Sequence, residues 1–350
     1  MPHDGWHPHD HPHPLRRMVL AAASFLPFGG TSAQAADAAQ RIAEAAQRFL
    51  GGLDEAQRRQ AMIAFESGNR LDWHYIPRDR QGLPFSIMSR QQQDLAHALF
   101  ATVLNERGVQ TIDSIRTILE DLLRQQQGGR HDPGLYYVSI FGTPGRFPWG
   151  WRLEGHHLSL NVTLPSAGEV RATPFFLGAQ PETVHGGPHR GLRVLGPAED
   201  LARQLMGSLD DAQRRTAIIA ERAFDDIVAG PGREHELARP SGLPLAEMGE
   251  PARHLVEALV DHFVDTLAPD LAAIQRRRVI EQELARFHFS WAGALERGQP
   301  HYFRVHGPIT LIEYDNTQDH ADHVHSVWHD LEADFGNDAL AEHYRRQPHR

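Results

Sequence analysis

Leu53-Asp-Glu-Ala-Gln-Arg-Arg-Gln-Ala61 returns further along the chain as Leu209-Asp-Asp-Ala-Gln-Arg-Arg-Thr-Ala217, and this recurrence sets the reading of the fold. Four more pairs follow in the same order. Gly82-Leu-Pro-Phe85 matches Gly242-Leu-Pro-Leu245, and His97-Ala-Leu-Phe100 lines up with Glu257-Ala-Leu-Val260. Tyr136-Tyr-Val-Ser-Ile-Phe-Gly142 matches Phe287-His-Phe-Ser-Trp-Ala-Gly293, and Trp151-Arg-Leu-Glu-Gly155 matches Phe303-Arg-Val-His-Gly307. The partners stay roughly 150–160 residues apart, with the slow drift that small loop insertions produce. One match alone means little; five in register point to a duplicated unit.

Each unit reads with the same grammar. A helix follows the Leu-Asp-x-Ala-Gln-Arg-Arg segment and a second follows the Gly-Leu-Pro turn. Ser89 and Gln92 make a capping box ahead of Leu95, Leu99 and Val103. Ile112, Ile115, Ile118, Leu119 and Leu122 recur at helical spacing and predict a third helix. Strand-like runs follow at 135–141, 157–164 and 169–176, and again at 286–292, 301–306 and 309–315. Helices ahead of strands predict an α+β protein. The expectation is two tandem helix-helix-helix-strand repeats, residues 36–200 and 201–350, related by a pseudo-twofold and packed into one structural domain.

Composition narrows the chemistry. The chain has 350 residues, 23% charged and 41% hydrophobic, which suits a soluble protein of one or two domains. It has no cysteine, so thiolate metal sites, cysteine-ligated iron–sulfur clusters and a cysteine nucleophile are excluded. It has no lysine either: all 35 basic residues are arginine, which excludes a pyridoxal phosphate anchor. There is no Gly-x-Gly-x-x-Gly to support an NAD fold. The 24 histidines supply the commonest metal ligand. A net charge of −10 argues against a nucleic-acid partner, and Arg276, Arg277 and Arg278 read as a solvated helix face.

Residues 1–35 read as an export signal. Arg16–Arg17 precede a weakly apolar stretch, 18–28, and Ala33-Gln34-Ala35 fits a small-residue cleavage site. The arginine pair after a long polar leader resembles a twin-arginine signal, with an ordinary secretory signal as the alternative. The apolar stretch is too short to span a bilayer, so the mature chain is expected to have no transmembrane span and to act in the periplasm or outside the cell.

Two histidine clusters stand out. In Glu154-Gly-His156-His157-Leu-Ser-Leu-Asn161, residues 157–164 alternate polar and apolar as in a strand. An adjacent His pair beside a Glu offers the ligands zinc or non-haem iron takes. In the second cluster, His323 and His325 are two apart and share a side if the segment is extended. Asp330 is a candidate acceptor for fixing a ligating ring. Arg78 and Arg80, in an aromatic loop at 73–84, are candidate grips for a substrate carboxylate or phosphate. Arg152 and Asn161 are further candidate substrate contacts.

Taken together, Tyr75-Ile-Pro-Arg with Gly82-Leu-Pro, Ile140-Phe-Gly-x-Pro, Trp149-Gly-Trp-Arg-Leu-Glu-Gly-His-His-Leu-Ser-Leu-Asn161 and Leu311-Ile-Glu-Tyr-Asp-Asn-Thr-Gln318 with His323-Val-His-Ser-Val-Trp328 resemble the bacterial domain-of-unknown-function family numbered 3500. The resemblance covers roughly residues 40–345 and implies a single family-length module. It implies no reaction, substrate or cofactor.

The residues therefore lead to an exported metal-dependent enzyme, read first as a hydrolase. A zinc, iron or copper ion would be held by His156, His157, His323 and His325, with Glu154 as general base on a small-molecule or extracellular substrate. An iron or copper oxidoreductase and a non-catalytic metal or ligand carrier of the envelope are the alternatives.

Overall fold

The computed structural model describes residues 30–129, 131–282 and 284–336. The signal-like stretch through residue 29 lies outside the described residues, and Ala33–Ala35 belong to the first helix. The first half runs α1 (Gly30–Gly51), α2 (Glu55–Ala61), β1 (Met62–Ile63), β2 (Leu83–Pro84), α3 (Arg90–Phe100) and α4 (Glu106–Asp113). A π-helical stretch, Ser114–Leu119, joins α4 to α5 (Glu120–Gln127). Then come β3 (Tyr137–Thr143), β4 (Arg146–Gly155), β5 (Leu158–Ser166), β6 (Glu169–Arg171) and β7 (Phe175–Ala179). The second half runs α6 (Gly196–Ser208), α7 (Asp211–Ala217), β8 (Ile218–Ala220), β9 (Leu243–Pro244), α8 (Glu250–Val264), α9 (Pro269–Glu281), β10 (His288–Gly293), β11 (His301–His306), β12 (Thr310–Gln318) and β13 (His323–Asp330).

The local signals act as their chemistry requires. Asp54 with Gln57, Ser89 with Gln92, and Asp210 with Gln213 each form a reciprocal capping box that closes the first turn of α2, α3 and α7. Just past α2 and α7 the chain turns extended, and each short strand pairs in parallel with a longer one, β1 with β3 and β8 with β10.

The expected architecture of two tandem helix-helix-helix-strand repeats is not what forms. The strands make one mixed sheet of 13, with the path β1-β3-β4-β5-β7-β13-β12-β11-β10-β8 and β2, β6 and β9 attached at its margins. The two halves meet where β7 pairs antiparallel with β13, from Val324 opposite Ala179 to Trp328 opposite Phe175. The physical reason is the edge. Two separate sheets would each leave a row of unpaired backbone groups along β7 and β13, and joining them satisfies both. Short strands also fall between the helices of each half, so the order is not helices and then strands.

The sheet has two contrasting faces. Leu158, Leu160, Val162 and Leu164 of β5 turn to the helices with Trp149, Trp151, Phe303, Tyr314, Val324 and Trp328, in one large apolar core. The other face carries Arg152, Glu154, Ser159, Asn161, Arg304, Glu313, Asp315, His325 and His329, and these are buried as well. Two loops, 64–82 and 221–242, cover it. Arg152 donates to the carbonyls of Asn69 and Asp72, and the backbone amides of Val228 and Ala229 donate to Glu313. Among the described residues no helix is long and apolar enough to cross a membrane.

Candidate metal centre

The site is built on a tight turn. Gly155 of β4 pairs with Leu158 of β5, so His156 and His157 are the whole connection. Gly155 is needed because a Cβ there would meet the Tyr136 ring at 2.3 Å. His157 adopts a left-handed φ of 61°, uncommon for a residue with a side chain. Backbone bonds on both sides hold it there: its N–H donates to the Tyr75 carbonyl at 2.8 Å, and its carbonyl accepts from Gly178 at 2.7 Å.

Gly178 lies on β7 directly opposite His325 of β13. A Cβ on Gly178 would come within 2.6 Å of the His157 ring. The missing side chain is thus what lets His157 lie over β7 beside β13. His323 and His325 alternate on β13 and share the loop-covered face. The chain enters β13 through Asp319, His320 and Ala321, all with left-handed φ between 50° and 63°. Of the five described non-glycine residues with positive φ, four thus belong to the two segments that bring these rings together.

The rings of His157, His323 and His325 meet, with one ligand nitrogen from each lying within 4.8 Å of the others. His157 Nε2 and His323 Nε2 are 2.7 Å apart, a spacing that admits one proton between them and not two. Carboxylates hold the far sides of two rings: His323 Nδ1 is 2.9 Å from Asp319, and His325 Nδ1 is 2.8 Å from Asp226. Tyr75 donates to the other oxygen of Asp226 at 2.9 Å and stacks on Phe176 with centroids 4.0 Å apart. Carboxylate behind imidazole fixes ring and tautomer and leaves Nε2 to act as a ligand.

The electrostatics follow from burial. Burial and the neighbouring imidazoles push His157 well below its ordinary pKa. Burial, with His325 nearby, takes His323 down to about 4. Both are neutral at pH 7, with lone pairs available. Burial also pulls on His325, but its hydrogen bond to Asp226 and the charge of Asp315 outweigh it, so its pKa is raised. Asp315 is fully buried, and burial raises it to about 8.

Among the described residues, two further groups of side chains could hold a metal ion. Asp226, Asp315 and His325 form one, on the Nδ1 side of His325. Glu120, His131 and His156 form the other. The structure therefore divides the adjacent histidines. His157 joins His323 and His325, while His156 turns to Glu120, its Nδ1 at 2.6 Å.

The remaining expected residues lie elsewhere and have partners. Glu154 is clamped between Arg80 at 2.6 Å and Arg152 at 2.8 Å, with all three side chains at most 6% exposed. Arg80 also donates to the carbonyls of His74, Ile76, Arg78 and Gly155, and so closes its own loop. Arg78 pairs with Asp72 at 3.0 Å. Asn161 donates to Ser159 and to the Pro174 carbonyl. Asp330 pairs with Arg278 at 2.7 Å, away from the histidines.

Asp226, Asp315, Asp319, Tyr75, Glu120 and His131 were not among the expected site residues. One signal was present. Glu313 and Asp315 alternate with apolar residues in Leu311-Ile-Glu-Tyr-Asp315, a buried strand carrying acids on one face. Asp226 and His131 lie in loops whose spacing says nothing of their neighbours.

No curated protein and no solved structure matches the chain. A family model does match, over residues 35–337, nearly the whole described chain. The chain belongs to that family, described as Protein of unknown function (DUF3500).

Proposed function

We propose that this protein is a metal-dependent enzyme acting outside the cytoplasm, with His157, His323 and His325 holding the ion and hydrolysis as its reaction. The observation that carries the reading is the convergence of three imidazoles from segments 166 residues apart, with one nitrogen of each ring within 4.8 Å of the others. Backbone strain supports it. Left-handed φ at His157 and at Asp319–Ala321 costs stability, and such strain gathers at functional sites. Three imidazoles are a ligand set that a catalytic zinc site uses. Held by His157, His323 and His325, a divalent ion would supply the activation of water, by lowering its pKa toward neutrality.

The chain's own residues do the positioning. Asp319 and Asp226 aim two rings, Tyr75 steadies Asp226, and Gly178 makes room for the third ring. Glu154 takes no part as a base in this reading, because two arginines already neutralise it. The export signal read at residues 1–35 supports the location. Iron or copper redox chemistry is the second reading, favoured by the Tyr75 ring 4.9 Å from His325, an oxidisable side chain beside a ligand.

Elemental analysis of the purified mature protein tests the proposal. Stoichiometric zinc, lost in His323→Asn, supports the hydrolase; iron or copper lost in the same variant moves the assignment to redox work. A folded wild type that takes up none of the three overturns both.

A further inference from the structure

We propose that Glu120, His131 and His156 hold a second divalent ion beside the first, so that the turn His156–His157 is the common wall of a paired-metal centre. This rests on the preceding reading of His157, His323 and His325 for its function, though its ligands are separate.

The two rings of the turn stack with centroids 3.7 Å apart and planes 27° apart, one facing each group. Behind His156, three ligand atoms from Glu120, His131 and His156 lie within 4.8 Å of one another. His156 Nδ1 is 2.6 Å from one oxygen of Glu120, and His131 Nδ1 is 3.4 Å from the other. His131 Nδ1 is buried and makes no hydrogen bond, so a ligating nitrogen faces the carboxylate without a partner. The Glu120 side chain is 2% exposed. Among the described residues its ion-pair partners are only these two imidazoles. A buried carboxylate facing two imidazoles lacks a full positive charge unless a ring is protonated, and a divalent cation supplies it.

The backbone is shaped to this end. Glu120 comes directly after the π-helical turn Ser114–Leu119. One extra residue in a helix rotates the downstream side chains by roughly 100°, and π turns recur at functional sites. The helix then stops at Gly128, and Gly128 and Gly129 both take left-handed φ, 64° and 68°. That reversal brings His131 back to Glu120, two turns earlier. The Asp132 amide donates to Glu120 at 3.1 Å and locks the return.

Metal counting on the apo protein reloaded with Zn(II), and separately with Co(II) for its visible absorption, tests this. The wild type should bind two ions per chain. Glu120→Gln with His131→Gln should bind one and keep the Co(II) spectrum of the three-histidine site. His323→Asn with His325→Asn should also bind one. His131→Gln alone, a change at the rim of the site, should weaken one ion at least tenfold and guards against a double variant that misfolds. A wild type with one ion, unaffected at Glu120 and His131 but lost at His323 and His325, overturns the second site and leaves the first standing. One ion lost only with Glu120 and His131 overturns the three-histidine reading instead. No ion in the folded wild type overturns both.

Discussion

Two hairpins on the same sheet, β4–β5 and β11–β12, are built alike and equipped differently. In each, a glycine precedes the turn and leaves room for an aromatic ring: Gly155 for Tyr136 and Gly307 for Phe287. In each, an arginine lies on the loop-covered face, Arg152 and Arg304. Beyond that they part. The first turn consists of two histidines and meets His323 and His325 across β7. The second runs through Pro308 and Ile309, and His306 near it is neutral, burial taking its pKa to about 4, with Nδ1 unpartnered. The scaffold is thus common to both, and chemistry appears where a turn carries imidazoles within reach of a second histidine strand.

Predictions that break or sharpen this contrast begin with the buried ions. Glu154→Gln leaves Arg80 and Arg152 buried without their carboxylate, and should cost about 3–5 kcal/mol of stability in chemical denaturation. Metal content of the surviving folded fraction should stay unchanged. Metal loss at full stability would restore Glu154 to the site and undo the distinction between clamp and ligand.

Asp226→Asn comes next. It weakens the group that fixes the His325 ring and should lower metal affinity by about 10–100-fold in competition with a chelator, with the fold intact. An unchanged affinity would mean that His325 is not a ligand.

The difference between the hairpins was partly legible in the sequence. Alternation along 157–164 and the two-residue spacing of His323 and His325 follow from strand periodicity; β5 and β13 are extended as that predicts, but β5 starts only at Leu158 and His157 lies in the turn before it. The division of His156 from His157 was not legible. It depends on a left-handed φ in a two-residue turn, which stacks the two rings face to face so that each meets a different group of ligands, and periodicity carries no such information. The single sheet escaped for a similar reason. Recurrent segments describe what each half contains, while the pairing of β7 with β13 is a contact between the halves. Arg78, Arg80, Arg152 and Asn161 stand out in the sequence by side-chain type, and type alone does not separate an arginine that grips a ligand from one that closes a loop.

A smaller effect is expected at Gly178. Gly178→Ala puts a Cβ within 2.6 Å of the His157 ring and should destabilise by about 1–3 kcal/mol through overpacking, with weaker metal binding. Full metal affinity in this variant would show that the His157 ring has other room. The smallest change should come from the unequipped hairpin. His306→Leu replaces a buried imidazole whose Nδ1 is unpartnered, and should shift stability by about 1 kcal/mol or less, with no loss of metal. A variant that loses metal would place part of the site on the wrong hairpin.

The central claim is that three imidazoles from the β4–β5 turn and β13 coordinate one ion. X-ray absorption at the metal edge of Glu120→Gln/His131→Gln protein, in which only the three-histidine site remains, tests it most directly. The prediction is a first shell containing three nitrogens at about 2.0–2.1 Å with the outer-shell scattering of imidazole rings. A shell of oxygens without imidazole scattering would contradict it.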